Sequence, residues 1–365
     1  MLAKEKLKQV CALPWIMRLV LLVIRAAGVA STIGFLAFAD PMSTPASPAL
    51  NLAEQPILAI TTAGDHLVAA GPRGLVILSD SEGKNWRQAE SPVQSDLVDI
   101  EFPDPANGWI CGHDGVILHS SDGGHIWHKQ LDGITAKASF ERYYSGRIAA
   151  GDKSQLENLA QIHLNYDNGP SLPWLGIWFS DANTGYAVGP FGDLAATPNG
   201  GKTWQPWLDH IDNPNNLDLN AIAAIGGQIY IVGEQGMVYR LDPGTQKFIA
   251  YPTGYAGSLF GLTGTSKTLI VFGLRGTIFR SETGGQSWIR AVNPSQSSIM
   301  SGIVLPDHRI ALVDVNGEIL MSSDDGARFS PYRAPQPMPL SDIAELNSRD
   351  LFVAGLNGVH GVPLN

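Results

Sequence analysis

Seven times along this chain an apolar strand runs into a tight turn closed by glycine, and a second apolar strand follows. The closing glycines are Gly74, Gly115, Gly192, Gly236, Gly276, Gly317 and Gly358. Their spacings are 41, 77, 44, 40, 41 and 41 residues. A fixed period of about 40 residues marks a repeat architecture, in which each unit buries its apolar faces against its neighbours. Six of the turns read Gly-x-x-Gly, and in the sixth Asp314 stands where the first glycine would be. An inner strand precedes each turn-forming pair, as in Leu97-Val-Asp-Ile100, Leu259-Phe-Gly-Leu262, Met300-Ser-Gly-Ile303 and Leu340-Ser-Asp-Ile343. An outer strand starts at Trp86, Trp127, Trp204, Phe248, Trp288 or Phe329. This grammar predicts an all-β fold, a seven-bladed β-propeller of four-stranded antiparallel blades with a helical insertion in one inter-blade connection. The 40 Gly, 24 Pro and only 16% charged residues suit such a turn-rich chain.

Residues 49–365 form the expected propeller, preceded by a Pro/Ser-rich linker at 40–48. The seventh unit ends at Val359–Leu364 without an outer strand, and Ala49–Ala53 is expected to supply it, closing the ring and hiding two sheet edges. The 77-residue interval holds residues 137–173, which lack the blade grammar. There Phe140, Tyr143, Tyr144, Arg147 and Ile148 recur at helical spacing up to Gly151. Leu156, Leu159, Ala160, His163 and Leu164 do the same after Asp152 and Ser154, which suit an N-cap. A helical hairpin is therefore expected between two blades. Chain order puts it on the face of the Gly-x-x-Gly turns.

Residues 1–39 belong to a different regime. Lys4, Lys6, Lys8, Arg18 and Arg25 oppose only Glu5, and Ala26–Phe38 carries no charge before Ala37-Phe38-Ala39. This reads as a secretory signal; the alternative is an uncleaved anchor over Leu13–Phe38. Either way the propeller is expected outside the cytoplasm. Of 24 Lys and Arg, five lie in this leader, with one of 34 Asp and Glu, so the remainder carries 19 cations against 33 carboxylates, a net charge of −14. So acidic a domain repels nucleic acid. Cys111 is the only cysteine outside the leader, so the propeller cannot contain an internal disulfide.

Five turns share a second motif, clearest in Ser120-Ser-Asp122-Gly-Gly124-His-Ile-Trp127 and Ser281-Glu-Thr283-Gly-Gly285-Gln-Ser-Trp288. Short oxygen-bearing side chains can bond the turn's own N–H groups while glycine takes positive φ. These turns resemble the Asp-box, or bacterial neuraminidase repeat, whose role is structural. Because that repeat recurs in glycosidases, a secreted glycan-acting hydrolase is the alternative function. Hydrolysis would need two carboxylates converging over one pocket. On the turn face carboxylates are sparse, with Asp114 and Glu234 inside the turns, and the sialidase Arg-Ile-Pro segment is missing, Arg147-Ile-Ala and Arg309-Ile-Ala being nearest. His113, His119, His125 and His128 cluster in one unit, but no known metal-ligand spacing accompanies them, so they are expected to be solvated. Catalytic, cofactor and metal residues are accordingly not expected, and the ligand is left open between protein and glycan.

The whole region from about residue 50 to 365 resembles the photosystem II assembly and stability factor family. The motif Gly-x-x-Gly-x-[Ile/Leu]-[Leu/Phe]-x-Ser carries the resemblance at 112–120 and 273–281 and, with Val76 and Ile77, at 71–79. Members are non-enzymatic lumenal or periplasmic propellers that help assemble a membrane protein complex, so the resemblance implies a scaffold with a membrane-protein partner. Photosynthetic members carry an arginine-rich patch on one face. Here only Arg73 and Arg275 occupy turn tips, with Arg142 and Arg147 in the insertion, which is itself extra to the simplest family plan. Tyr and Arg are favoured at the centres of protein interfaces. The candidate partner-binding residues are thus Arg73, Arg142, Tyr143, Tyr144, Arg147 and Arg275. A second reading makes the insertion a lid that packs its own aromatics over the propeller mouth.

Overall fold

The computed structural model describes residues 40–332, 338–347 and 349–364; the leader at 1–39 lies outside the described residues. Seven antiparallel sheets follow one another in chain order. Blade 1 comprises Ala59–Ala63, His66–Ala70, Val76–Ser79 and Arg87–Gln88, and blade 2 Leu97–Glu101, Gly108–Gly112, Ile117–Ser120 and His128–Leu131. Blades 3 to 6 repeat this order from Gly176 to Tyr332. Blade 7 has three strands, Leu340–Asn347, Asp350–Gly355 and Gly358–Pro363. Each innermost strand packs on that of the next blade, and that of blade 7 on that of blade 1, so the ring closes. The second and third strands of each blade supply most of the fully buried residues, such as Ile110, Leu118, Val188, Val232 and Leu312.

The two turn glycines are needed for different reasons. The second lies at positive φ, 73° at Gly74 and 66° at Gly276, which L-residues avoid. The first is extended, but a Cβ there would meet a carbonyl oxygen, 2.1 Å from Asp96 O at Gly112 and 2.1 Å from Asp218 O at Gly233. That close approach lets the glycine carbonyl reach the next blade. Gly71 O accepts from Leu97 N, Gly112 O from Trp174 N, Gly189 O from Leu219 N and Gly355 O from Ile57 N, at 3.0–3.2 Å. The last of these bonds closes the ring.

Closure does not use the expected strand. Asn51 is left-handed (φ 50°) and Leu52–Glu54 forms a 3-10 turn, so Ala49–Ala53 cannot continue a ladder. This segment instead lies beside the last strand of blade 7, where Gly358 leaves no room for a side chain against Ala53 O. Before it, residues 40–49 run over the outer parts of blades 1 and 2: Ala46 N bonds Ser91 O and Lys129 Nζ bonds Met42 O. Blade 6 also begins one residue earlier than the sequence suggested. Ile299, fully buried, starts its inner strand, because a bulge between Ile299 and Ser301 matches that between Leu259 and Gly261.

Two residues after the buried residue that leads into each inner strand (Ile57, Leu97, Trp174, Leu219, Leu259, Ile299, Leu340) the side chain is small in five blades (Ala59, Gly176, Ala221, Gly261, Ser301) and aspartate in two, Asp99 and Asp342. These carboxylates staple neighbouring blades. Asp99 accepts from Ile100 N at 2.9 Å and from Ile177 N of blade 3 at 2.8 Å. Asp342 accepts from Ile343 N, from Ile60 N of blade 1 at 2.7 Å and from the Ser301 hydroxyl of blade 6. Burial pushes Asp99 up to about 7, helped by the Asp342 charge and opposed by its two N–H donors. Burial and then the Asp99 charge push Glu101 up to about 8, and burial takes Asp342 to about 6.

An unfolded carboxylate ionises near pH 4. Between about pH 4 and 8 the folded chain therefore holds protons that the unfolded chain has released, and stability falls as pH rises through that window. The melting temperature is expected to be higher at about pH 5 than at about pH 8.5. Glu101→Gln should raise it at the higher pH and leave it near wild type at the lower. Thermal scans of both proteins at both pH values check this; a wild-type Tm that climbs with pH removes the buried carboxylates as the dominant titrating groups.

Candidate functional site

Blades 1 to 5 present five tips of one construction. Arg73, Asp114, Phe191, Gln235 and Arg275 all lie in the left-handed region, with φ between 54° and 59°. A non-glycine residue there costs about 1 kcal/mol or more and is held only by its surroundings. The holding groups come from the residue before the next inner strand. Asp96 Oδ1 accepts from Arg73 N and Asp218 Oδ1 from Phe191 N, both at 2.8 Å, and Ser298 Oγ accepts from Arg275 N. Arg73, Phe191 and Arg275 project into solvent from these clamped tips, Phe191 being 53% exposed, and Gln235 is exposed at the matching position of blade 4.

The insertion stands on the same face, beside blades 2 and 3. Helix α1, Gly133–Ala149, starts four residues before the expected boundary at 137, because Asp132 and Thr135 form a capping box: Asp132 Oδ1 accepts from Thr135 N, and Thr135 Oγ1 from Asp132 N. Helix α2, Leu156–Tyr166, follows a 3-10 turn. Asp152 precedes that turn without capping it; its carboxylate takes the side chains of Arg147, Ser154 and Gln155 instead. Phe140, Tyr144, Ile162 and Tyr166 bury themselves with Trp174 and Leu131 in one apolar cluster.

Polar bonds fix this hairpin to blade 3. Tyr166 Oη donates to Asp193 Oδ2 at 2.6 Å and Asn165 Nδ2 to Asp193 Oδ1 at 3.2 Å, just past the Phe191 tip. Burial raises Asp193 to about 6, with the Tyr166 and Asn165 bonds opposing it. Tyr144 Oη donates to Asp209 Oδ1 and accepts from Leu208 N. Arg147 Nη1 reaches Asp209 Oδ2 at 2.6 Å and Nη2 reaches Asp152 at 2.7 Å.

The sequence candidates therefore separate. Arg73, Arg142 and Arg275 are exposed. Tyr143 is half-buried with the Arg147 guanidinium over its ring. Tyr144 is fully buried and offers no surface, while Arg147 is committed to two carboxylates. Leu164, one of the apolar residues at helical spacing, is 71% exposed, and Phe191 stands out of a Pro-Phe-Gly turn that carries no sequence signal of its exposure. Gln161, one turn before Leu164 on α2, donates to Phe191 O, which brings helix and tip together.

The insertion packs its own aromatics, as the second reading expects, and no residue of it lines the cavity between the inner strands, to which Phe272 of a second strand also contributes. That cavity of 180 Å³ is bordered by Asp99, Asn220, Ser301, Ser341 and Asp342 among apolar neighbours. These polar groups are engaged between blades: Asn220 Nδ2 donates to Leu259 O and Ser341 Oγ to Ile57 O. Asp114 and Glu234 sit in different blades and serve their own turns, accepting from Ser95 Oγ at 2.7 Å and Asp218 N at 3.1 Å. In the Asp-boxes, Ser120, Thr197 and Ser281 each accept from a glycine N–H at 2.9 Å. Partial burial pushes Asp122 up, but its bonds from Ser120, Ile126 and His125 outweigh this and hold it below the usual range. His119 and His128 are paired across strands, yet His119 is stacked on Trp109 at 4.5 Å.

Residues 78–148 and 152–304 match the family described as photosynthesis system II assembly factor YCF48. The chain belongs to this family. The matched ranges run across the insertion, to within one residue of the end of α1 and through α2. A photosystem II assembly protein Ycf48 of Synechococcus sp. (strain JA-3-3Ab) is 27% identical over 279 residues, 70% of this chain and 80% of its own length. The chloroplastic photosystem II stability/assembly factor HCF136 of Cyanidioschyzon merolae is 27% identical over 187 residues, 47% of this chain and 42% of that protein. Among solved structures, YCF48 bound to D1 peptide superposes with a TM-score of 0.62 at 15% identity, covering 88% of this chain and 100% of that one. A streptogramin B lyase reaches 0.65 at 14% identity, covering 87% and 96%, so the propeller alone does not choose between scaffold and enzyme. Membership of an assembly-factor family makes that choice, in favour of a non-enzymatic scaffold.

Loss of Asp209 strands the Tyr144 hydroxyl and one arm of Arg147. Asp209→Ala is expected to cost about 1–3 kcal/mol and to make α1 and α2 the first segment cut in limited proteolysis. Cleavage that begins in the blades would contradict the anchoring role.

Proposed function

We propose that this chain is an exported scaffold that holds a membrane-protein client during assembly, using the clamped tips of blades 1, 3 and 5 and the outer face of the insertion. The observation that carries this reading is the row of exposed residues at strained, clamped tips, a pre-set surface on rigid supports. A relative's structure with a D1 peptide supports a peptide segment as the recognised form. Export rests on the basic and apolar leader at 1–39, read as a signal peptide or anchor, and one relative is named a lipoprotein.

Contact chemistry follows from what projects. Arg73, Arg142 and Arg275 would pair with carboxylates of the client, and Phe191 and Leu164 would cover its apolar side chains. Tyr144 and Arg147 act by holding the insertion in place, and Tyr143 by backing Arg147. With two arginines at the tips and net charge −14 beyond the leader, the face favours a client read largely through apolar contact.

Photo-crosslinking by face tests the reading. A crosslinkable residue at position 191 or 275 is expected to trap a membrane protein in intact cells, and one at Lys202 or Glu282, in the Asp-box turns at the other end of the blades, to trap none. Adducts from the Asp-box positions alone, or from neither face, would sink it. Arg73→Gly with Arg275→Gly should lower adduct yield at position 191 without lowering Tm, since glycine relieves the left-handed strain.

A further inference from the structure

Helices α1 and α2 bring three potential ligand atoms together on the open side of the insertion. His163 Nδ1 lies 3.3 Å from Glu141 Oε1 and 3.5 Å from Asp167 Oδ1, and all three atoms fall within 4.8 Å of one another. No other such group occurs among the described residues. We propose that Glu141, His163 and Asp167 form a binding site for a divalent cation of the zinc class, with water completing the coordination. This goes beyond the scaffold reading and does not depend on it.

The spacing suits the ion. A tetrahedral zinc with bonds of about 2.0–2.1 Å sets its ligand atoms about 3.3–3.4 Å apart, close to both distances from His163. One imidazole with two carboxylates favours zinc over magnesium or calcium, which take oxygen sets. The ligands stand on rigid supports. His163 and Asp167 are four residues apart at the end of α2, and Glu141 faces them from α1, the helices being locked through Phe140, Ile162 and Tyr166.

Lys137, one turn before Glu141, already places a cation there. Its Nζ lies 2.8 Å from Asp167 Oδ1 and 3.9 Å from Glu141 Oε1. The ion therefore displaces the Lys137 ammonium, and two carboxylates with a neutral imidazole leave a net charge of about zero on the occupied site. Bound, it joins the two helices and stiffens the insertion.

Calorimetric titration of the full-length protein with zinc chloride, and with cobalt chloride for its visible absorption, tests the site. The expected result is a saturable site that raises Tm. His163→Ala should weaken it by more than about tenfold, and Lys137→Ala should tighten it by removing the competing charge. All of these side chains are at least partly exposed, so the variants should fold, and unchanged helical circular dichroism confirms it. Zinc affinity unchanged in His163→Ala, or lost only in a His128→Ala control in blade 2, overturns the proposal, as does weaker binding in Lys137→Ala.

Discussion

The structure depends on a backbone contact too close for any side chain. At the first turn glycine of six blades the main chain lies against the carbonyl that precedes its own inner strand, and in blades 1, 2, 3 and 7 the oxygen of that glycine accepts from an N–H at the start of the next blade. Repeated around the ring, the contact sets the distance between blades before any side chain is chosen. Apolar burial then stabilises what the backbone has positioned. The ring closes at Ile57 and Gly355 by the same bond, reinforced by Asp342 and Ser341 reaching blade 1.

The same geometry prepares the turn face. A tip that passes through two left-handed residues needs its N–H groups held, and Asp96, Asp218 and Ser298 hold them from the neighbouring blade. What projects from such a tip is presented on a rigid base, so little ordering is left to be lost on binding. The insertion extends this base beyond the blades. Asp193 and Asp209 accept its buried hydroxyls and its arginine, which turns a helical hairpin into part of the face.

Most of the fold was legible because its signals are local. Gly74 or Gly115 announces a left-handed turn within four residues, and Ser120 with Gly124 announces the next. The helical spacing of Phe140, Tyr144 and Arg147 was equally plain. Signals that depend on distant partners were not. Tyr144 and Arg147 looked like surface anchors because Asp209, which engages them, lies more than sixty residues further along the chain. The bulge after Ile299 shifted the apparent frame of blade 6, and Asn51 broke a segment whose composition allowed a strand. Phe191 escaped notice because nothing in a Pro-Phe-Gly turn reveals that its ring stays in solvent.

In the free protein the exposed tips at Arg73, Phe191 and Arg275 are already held from the next blade. Residue-resolved amide hydrogen exchange on the free protein tests it most directly. The N–H groups of Arg73, Phe191 and Arg275 are predicted to exchange slowly, with the strands, and Asp218→Ala to release Phe191 while leaving Arg73 and Arg275 protected. Exchange of all three in the wild type at the rate of an unstructured loop would contradict it.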